Sequence, residues 1–300
     1  MHASLLLHFD DEQASAERLA LASGVAASCI ARHRFPDGEL KLTLPATLPE
    51  RVLLLRSLDR PNEKLVELLL TAQTARRLGV RHLTLVAPYL AYMRQDIAFH
   101  PGEAVSQRIV GAFVAGLFDA VVTVDPHLHR VATLEQAVPV ADAIVLSGAP
   151  LLADLIRERR PGALLVGPDE ESAQWIAQAA ARGGFDYAVC RKLRRGDRDI
   201  EISLPTTAIT GRTVVLLDDM ASTGHTVAGA ARAVLAAGAL SVDVAVTHAL
   251  FADDALSVMK QAGIGDIWST DCIAHPTNAI AMAPALAAAL RERDLVGPVV

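Results

Sequence analysis

Residues Val214 to Thr226 read VVLLDDMASTGHT: an apolar run, two adjacent acids, and a small polar turn that runs into an Ala-rich helical pattern. The apolar run reads as a buried strand, and an open α/β sheet binds its ligands at the carboxyl ends of such strands. Ser222, Thr223, Gly224, His225 and Thr226 would set hydroxyls and backbone N–H groups at a helix N-terminus. The first amides of a helix lack intrahelical partners, and its dipole favours an anion there. That combination suits a phosphate. Asp218 and Asp219 cannot hold the phosphate themselves, because like charges repel; they suit sugar hydroxyls or a cation. A phosphate cradle beside a hydroxyl-seeking acid pair points to a sugar phosphate such as ribose 5-phosphate. The plain alternative is an ordinary strand-to-helix turn with an acidic start.

Five other segments carry chemical side chains. Phe35-Pro36-Asp37-Gly38-Glu39 contains a strong turn signal and reads either as a tight connection between strands or as a base-binding tip. In the second reading Phe35 stacks on a flat base while the acids accept from amine or ribose donors. Arg94-Gln95-Asp96 opens a loop of about a dozen residues after a strand. Arg94 could meet a phosphate there and Gln95 a base edge or a sugar. Asp125-Pro126-His127-Leu128-His129-Arg130 also follows a strand, where an imidazole could hold a divalent ion or satisfy a local hydrogen bond. His127 and His129 are two apart and would point to opposite sides of an extended chain. Gly167-Pro168-Asp169-Glu170-Glu171 supplies a further carboxylate after a strand. Arg191 to Arg198 holds the densest positive charge of the chain and reads as a mobile basic loop. Cations that close over a polyphosphate are what phosphoryl-type transfer needs.

The elements that must position these residues alternate along the chain. Val52–Arg56, Leu83–Ala87, Val121–Val124, Leu164–Val166, Val214–Leu217 and Val242–Val246 read as buried strands. Asn62–Leu78, Ala104–Leu117, Leu151–Arg159, Ser172–Ala181 and Thr226–Ala237 read as helices, with Asn62 as an N-cap and Gly79 and Gly238 at C-terminal ends. Such alternation predicts parallel sheets covered on both faces. RVLLLRSLDRPNEK from Arg51 is echoed by RTVVLLDDMASTGHT from Arg212, and the glycine-led strands from Gly79 and Gly238 echo each other too. Thr123-Val124-Asp125 and Thr270-Asp271-Cys272 repeat later in each half. The echo predicts two copies of one α/β unit joined near Ser147 to Pro150, residues 1–147 and 148–300. Only the second copy keeps the acid pair and phosphate turn.

Composition narrows the class. At 300 residues, 52% of them hydrophobic, the chain can bury an ample core, and its formal charge of −6 speaks against a nucleic-acid surface. Three scattered cysteines form neither a disulfide framework nor a zinc motif. The N-terminal MHASLLLHFD lacks the pattern of a signal peptide, and no apolar run is long enough to span a membrane, so a cytoplasmic protein is expected.

In order, FPDGE from Phe35, PYLAYMRQD from Pro88, TVDPH from Thr123, GPDEES from Gly167, RKLR from Arg191, DDMASTGHT from Asp218 and HPTNAIAMAP from His275 resemble the ribose-phosphate pyrophosphokinases. DDMASTGHT alone would indicate only the wider type I phosphoribosyltransferase group. Ile97 to Gly102, IAFHPG, resembles the archaeal-type branch. The resemblance implies two tandem type I phosphoribosyltransferase-like domains, each a mainly parallel sheet flanked by helices. It also implies transfer of the β,γ-diphosphoryl group of ATP to C1 of ribose 5-phosphate, with Mg²⁺ as cofactor and a homo-oligomer as the assembly. Phe35, Asp37, Gly38 and Glu39 would touch ATP from a neighbouring subunit, and Arg94 and Gln95 would also contact it. His127 and Asp169 would hold Mg²⁺. Lys192 and Arg194 match the catalytic K-x-R, and Arg194, Asp218, Asp219, Ser222, Thr223, Gly224, His225 and Thr226 would hold ribose 5-phosphate. In His225 the chain departs from the small residue usual there. Two other readings stay open: a phosphoribosyltransferase that consumes the activated sugar, and a regulatory subunit that keeps the fold without turnover.

Overall fold

Short runs of buried Val, Leu and Ala build two six-stranded parallel sheets in the computed structural model, one in each of two units. The structure describes residues 4–195, 199–203, 209–252 and 254–297. One unit comprises Met1–Leu146 with Met282–Val300, the other Ser147–Ala281.

The first unit runs β1 (Ser4–His8), α1 (Gln13–Ser23), β2 (Ala26–Cys29), β3 (Ala31–Arg34), β4 (Leu40–Thr43), β5 (Arg51–Leu55), α2 (Pro61–Arg77) and β6 (His82–Ala87). It continues through α3 (Ser106–Ala115), β7 (Ala120–Val124), α4 (Leu134–Ala137) and β8 (Asp142–Leu146). The second unit runs α5 (Ala149–Arg159), β9 (Leu164–Gly167), α6 (Ala173–Gly183), β10 (Tyr187–Val189), β11 (Arg191–Arg195), β12 (Asp199–Ser203) and β13 (Thr213–Ala221). After these come α7 (His225–Ala236), β14 (Ser241–Ala249), α8 (Ala255–Gln261), β15 (Ile264–Thr270) and β16 (Asn278–Ile280). Helix α9 (Ala283–Glu292) belongs to the first unit.

The strand orders are β2-β1-β5-β6-β7-β8 and β10-β9-β13-β14-β15-β16, so the two sheets share one connectivity. In each, a two-stranded antiparallel hairpin follows the second strand: β3 with β4, and β11 with β12. The sequence echo is thus real at the level of fold, and Thr123 and Thr270 both lie on the fifth strand of their sheet. Both faces of a parallel sheet must be covered. In the second sheet Val214 and Leu216 join the buried cluster that includes Val227 and Ala231 of α7, while Val215 and Leu217 join Leu152, Ala153 and Trp175 on the other face.

Three expectations need correction. The second domain does not extend to residue 300: α9 packs against α1 and its Arg291 donates to the Ala22 carbonyl at 2.8 Å. Asn62 is not an N-cap. Pro61 takes the first helical position, where a missing N–H costs nothing, Arg60 caps it at φ 50°, and the Asn62 side chain accepts from the Tyr92 hydroxyl. Arg191–Arg195 is a strand rather than a loop, with Lys192 opposite Ile202 and Arg194 opposite Ile200. Gly79 and Gly238 do end their helices, at φ 94° and 90°.

A buried ion network ties the first unit together. Arg56, immediately after β5 and 1% exposed, reaches Glu67 at 2.5 Å, Asp11 at 2.8 Å and Glu12 at 3.0 Å, and lies 4.7 Å from the Phe9 ring centre. The second Glu67 oxygen accepts from Arg32 of β3 at 2.6 Å. Removing one partner of a buried pair strands the other charge. Glu67→Ala is therefore expected to cost about 3–5 kcal/mol of stability, read by urea unfolding. Burial, working against the pull of Arg56 and the Ser57 N–H, pushes the Glu12 carboxyl from 4.5 to about 7. The stability this confers is fully present below pH 4.5 and is lost as the pH rises through about 7. The loss is on the order of 3 kcal/mol. Thermal melts from pH 5 to 8 should fall more steeply for the wild type than for Glu12→Gln; parallel slopes would exclude Glu12 as the source.

Candidate functional site

The second unit assembles its polar groups at the carboxyl ends of adjacent strands. β13 carries Asp218 and Asp219 near its end, and its neighbour β9 leads through Gly167 and Pro168 to Asp169. Asp219 is 2% exposed and Asp169 7%, while Asp218 is half-buried. Burial first, then the charges of Asp219 and Asp169, push the Asp218 carboxyl well above the usual carboxylate range, although its Oδ1 accepts from the Asp219 N–H at 3.0 Å. Burial and Asp169 also push the Cys190 thiol up to about 11, so that cysteine stays protonated and inert. Asp169 is held by its own turn: its Oδ1 accepts from the Glu171 N–H at 3.1 Å, and its carbonyl accepts from the Ser172 hydroxyl at 2.6 Å. Gly167 permits this turn, because a Cβ there would lie 2.1 Å from Ser172 Oγ.

Beyond the acids, Ser222 to Gly224 turn into α7, and His225 is its first residue. Gly224 caps the helix at φ 75°, where a Cβ would meet the Ala255 carbonyl at 3.2 Å. Thr223 and His225 are exposed, Ser222 and Thr226 half-buried. An acid pair beside an accessible helix N-terminus is the arrangement read from the sequence. Lys192 and Arg194 lie on β11, and the tip between β11 and β12, residues 196–198, lies outside the described residues.

In the first unit the Phe35–Glu39 segment is the tip of the β3–β4 hairpin and exposed throughout, with Phe35 40% exposed. The tip is built by its own bonds: Phe35 N–H to the Glu39 carbonyl at 2.8 Å, Gly38 N–H to the Phe35 carbonyl at 2.9 Å, and Glu39 N–H to Asp37 Oδ1 at 3.1 Å. Gly38 sits at φ 95°, a conformation that favours glycine. Arg34 pairs with Glu63 of α2, and a groove of about 440 Å³ lies between hairpin and helix, lined by Gly38, Glu39, Asn62 and Val66 among others.

Arg94 and Gln95 follow β6; Arg94 is exposed, and Gln95 Nε2 donates to the Ile97 carbonyl at 3.1 Å. Asp96 is the residue that the sequence reading left without a role. It is buried and receives Arg130 twice, from Nη1 at 2.6 Å and from the N–H at 3.3 Å, so it fastens the loop after β6 to the loop after β7. That second loop is not extended. The Leu128 N–H donates to the Pro126 carbonyl at 2.7 Å, a γ-turn centred on His127 that brings His127 and His129 to one side. Their rings meet edge to face with centroids 4.0 Å apart, against the opposed orientation expected of an extended chain. No spacing rule signals this turn; only Pro126 hints at it.

The HPTN segment after β15 is fixed by local hydrogen bonds. Asn278 Nδ2 donates to Ser269 Oγ and to the Thr270 and Ile273 carbonyls, and His275 Nδ1 shares a hydrogen bond with Thr277 Oγ1 at 2.8 Å.

Comparison with known proteins agrees with this geometry. Residues 5–117 match the family model described as the N-terminal domain of ribose phosphate pyrophosphokinase, and residues 140–263 match the phosphoribosyl transferase domain. The chain is 36% identical over 262 residues to a ribose-phosphate pyrophosphokinase of Methanopyrus kandleri, covering 86% of this chain and 89% of that one. The chain belongs to the ribose-phosphate pyrophosphokinase family. An Archaeoglobus fulgidus relative, ribose-phosphate pyrophosphokinase 1, is also 36% identical, over 261 residues, with 86% of this chain and 89% of the relative covered. The crystal structure of the Mycobacterium smegmatis phosphoribosylpyrophosphate synthetase shares the fold, with a TM-score of 0.84 at 23% identity over 97% of this chain and 99% of that one. The archaeal resemblance, the paired phosphoribosyltransferase-like fold and the diphosphokinase class expected from the motifs all agree with these findings.

Like charges held together in a ligand-free site cost stability. Asp218→Asn should raise the melting temperature of the free protein, by about 0.5–2 kcal/mol in stability, while weakening any sugar-phosphate ligand. A lowered melting temperature would show that the acid pair stabilises the fold instead.

Proposed function

We propose that the chain transfers the β,γ-diphosphoryl group of ATP to the C1 hydroxyl of ribose 5-phosphate, giving 5-phosphoribosyl 1-diphosphate and AMP. The observation that carries this reading is the pairing of two features in one family member. A phosphate-type turn lies beyond Asp218 and Asp219, and an exposed, self-supporting tip presents Phe35, Asp37, Gly38 and Glu39. A phosphoribosyltransferase that merely consumes the activated sugar would have no use for the second.

In this assignment the first turn of α7 and residues Ser222 to Thr226 bind the 5-phosphate through N–H groups, hydroxyls and the helix dipole. Asp218 and Asp219 accept from ribose hydroxyls, which orients O1, and Arg194 adds a charge to the same substrate. Phe35 stacks on adenine while Asp37, Glu39 and the Gly38 backbone meet its polar edge and ribose; Arg94 and Gln95 hold the rest of the nucleotide. O1 attacks the β-phosphorus as its proton leaves, and the bond from that phosphorus to the α-phosphate oxygen breaks. The electron pair departs on AMP. Negative charge grows on the equatorial oxygens and the leaving group, where Lys192 and Arg194 would stabilise it.

The converging carboxylates of Asp169, Asp218 and Asp219 are a hard-oxygen donor set of the kind Mg²⁺ takes, and a divalent ion would relieve their repulsion. Asp169 in the second unit and His127 in the first are each assigned to Mg²⁺; when bound it would neutralise phosphate charge. The exposed Phe35–Glu39 tip suits action on a neighbouring subunit's nucleotide, hence a homo-oligomer. Among the described residues no helix is long and apolar enough to cross a membrane.

Incubation with ATP, ribose 5-phosphate and Mg²⁺ should release AMP with no nucleobase added. A requirement for a base would instead indicate a phosphoribosyltransferase, and no turnover by the purified protein a regulatory subunit. Lys192→Ala should lower kcat by about 10²–10³ with little change in KM, and near-normal turnover would remove Lys192 from the chemistry.

A further inference from the structure

We infer that His275 is a positioning residue for the sugar-phosphate turn: it holds the Phe251 ring, and through the loop after β14 it fixes the carbonyl of Ser222. The inference rests on the reading above that Ser222 to Thr226 bind the 5-phosphate, and it gives the HPTN segment a part in the same site.

β13, β14 and β15 are neighbours in the second sheet and run parallel, so the segments that follow them leave the sheet on the same side. The turn after β13 leans on the loop after β14. The Ala252 N–H donates to the Ser222 carbonyl at 3.0 Å, and the carbonyl of Ala255, which opens α8, would lie 3.2 Å from a Cβ on Gly224. A trans peptide is planar, with its C=O and N–H pointing in opposite directions. Drawing the Ser222 carbonyl onto the loop therefore aims the N–H of exposed Thr223 away from it. Amides aimed outward at a helix N-terminus are what receive a phosphate. If the loop shifts, this peptide plane turns and takes its donor with it.

The loop is braced in its turn by the segment after β15. Half-buried Phe251 meets the His275 ring edge to face, with centroids 5.0 Å apart. His275 is itself held. Its N–H donates to Asn278 Oδ1 at 2.9 Å, and the Asn278 N–H returns to the His275 carbonyl at 3.0 Å. Its Nδ1 accepts from the Thr277 N–H at 3.3 Å, which places the ring proton on Nε2. Thr277 Oγ1, 2.8 Å from that Nδ1, then donates to it and accepts from Ser269 Oγ at 2.8 Å. Ser269 Oγ accepts in turn from Asn278 Nδ2 at 2.9 Å. One directed chain of hydrogen bonds thus sets both the tautomer and the tilt of the imidazole. Burial holds its pKa below the usual value, which favours this neutral form.

The test is ribose 5-phosphate binding by the full-length protein, measured by calorimetry without ATP, beside steady-state AMP release. His275→Ala and Phe251→Ala should each weaken ribose 5-phosphate binding and raise its KM about tenfold, with the KM for ATP changed less than about twofold. The double variant should bind no more weakly than either single one, because the two rings act as a unit. Phe251→Tyr, which keeps the ring, should restore binding. His275→Asn, which keeps an acceptor for Thr277 but no ring, should not; it also serves if thermal melts show that His275→Ala is unfolded. Undiminished ribose 5-phosphate binding in the His275 variants, additive losses in the double variant, or an equal rise in the KM for ATP would overturn the proposal. A wild type that binds ribose 5-phosphate yet releases no AMP would sink the proposed activity and leave the positioning role to be read from binding. A wild type that binds none would sink the assignment of the turn, and the inference with it.

Discussion

Repulsion among Asp169, Asp218 and Asp219 is the interaction on which the second unit turns. A sheet that places carboxylates together at the ends of β9 and β13, with Asp169 and Asp219 buried, accepts a cost in the free protein: burial first, then the charges of Asp219 and Asp169, hold the Asp218 carboxyl well above its usual range. A cation beside such a cluster, or a hydroxyl that donates to it, relieves that cost. The N-terminus of α7 directly beyond the acids favours negative charge instead. The glycines follow from this arrangement: Gly167 lets the Asp169 turn close on Ser172, and Gly224 lets α7 start against α8.

The first unit answers the same topological question in the opposite way. The third strand of its sheet ends not in acids but in Arg56, and the surroundings supply the carboxylates: Asp11 and Glu12 after β1, Glu67 from α2. Charge is matched internally there, by ion pairs between the end of β5, α2 and the segment after β1. Arg32, which shares Glu67, and Arg34, which pairs with Glu63, both lie on β3 and so brace the hairpin whose tip carries Phe35 to Glu39. One copy of the fold carries an acid pair and a turn into a helix N-terminus, and the other carries at that point a buried ion network that supports an exposed hairpin tip.

Shared connectivity also places the two hairpins at the same point of the two sheets. In the first unit the hairpin carries an aromatic and two acids; in the second it carries the basic run that includes Lys192 and Arg194. The same insertion thus presents opposite charge in the two units through composition alone.

Much of this was legible in the residues. Apolar runs three to five long marked the central strands because strands buried on both faces leave little room for polar alternation, and the glycines after α2 and α7 marked helix ends because they adopt positive φ. The turn from Asp219 to Thr226 was legible because its parts are local: helix amides, hydroxyls and acids lie within a few residues of one another. The edge strands β2, β10 and β16 were not, being short and mixed in polarity. Other features depended on contacts between residues far apart in the chain. The return of α9 to the first unit, the Arg56–Glu67 network, the grip of Asp96 on Arg130 and the meeting of His127 with His129 each need a backbone already folded to bring the partners together. Sequence by itself determined the repeated α/β pattern and the residues able to do chemistry; tertiary structure alone decided which charges are matched in the interior and which are left to meet a ligand, because desolvation and pairing are properties of neighbours in space.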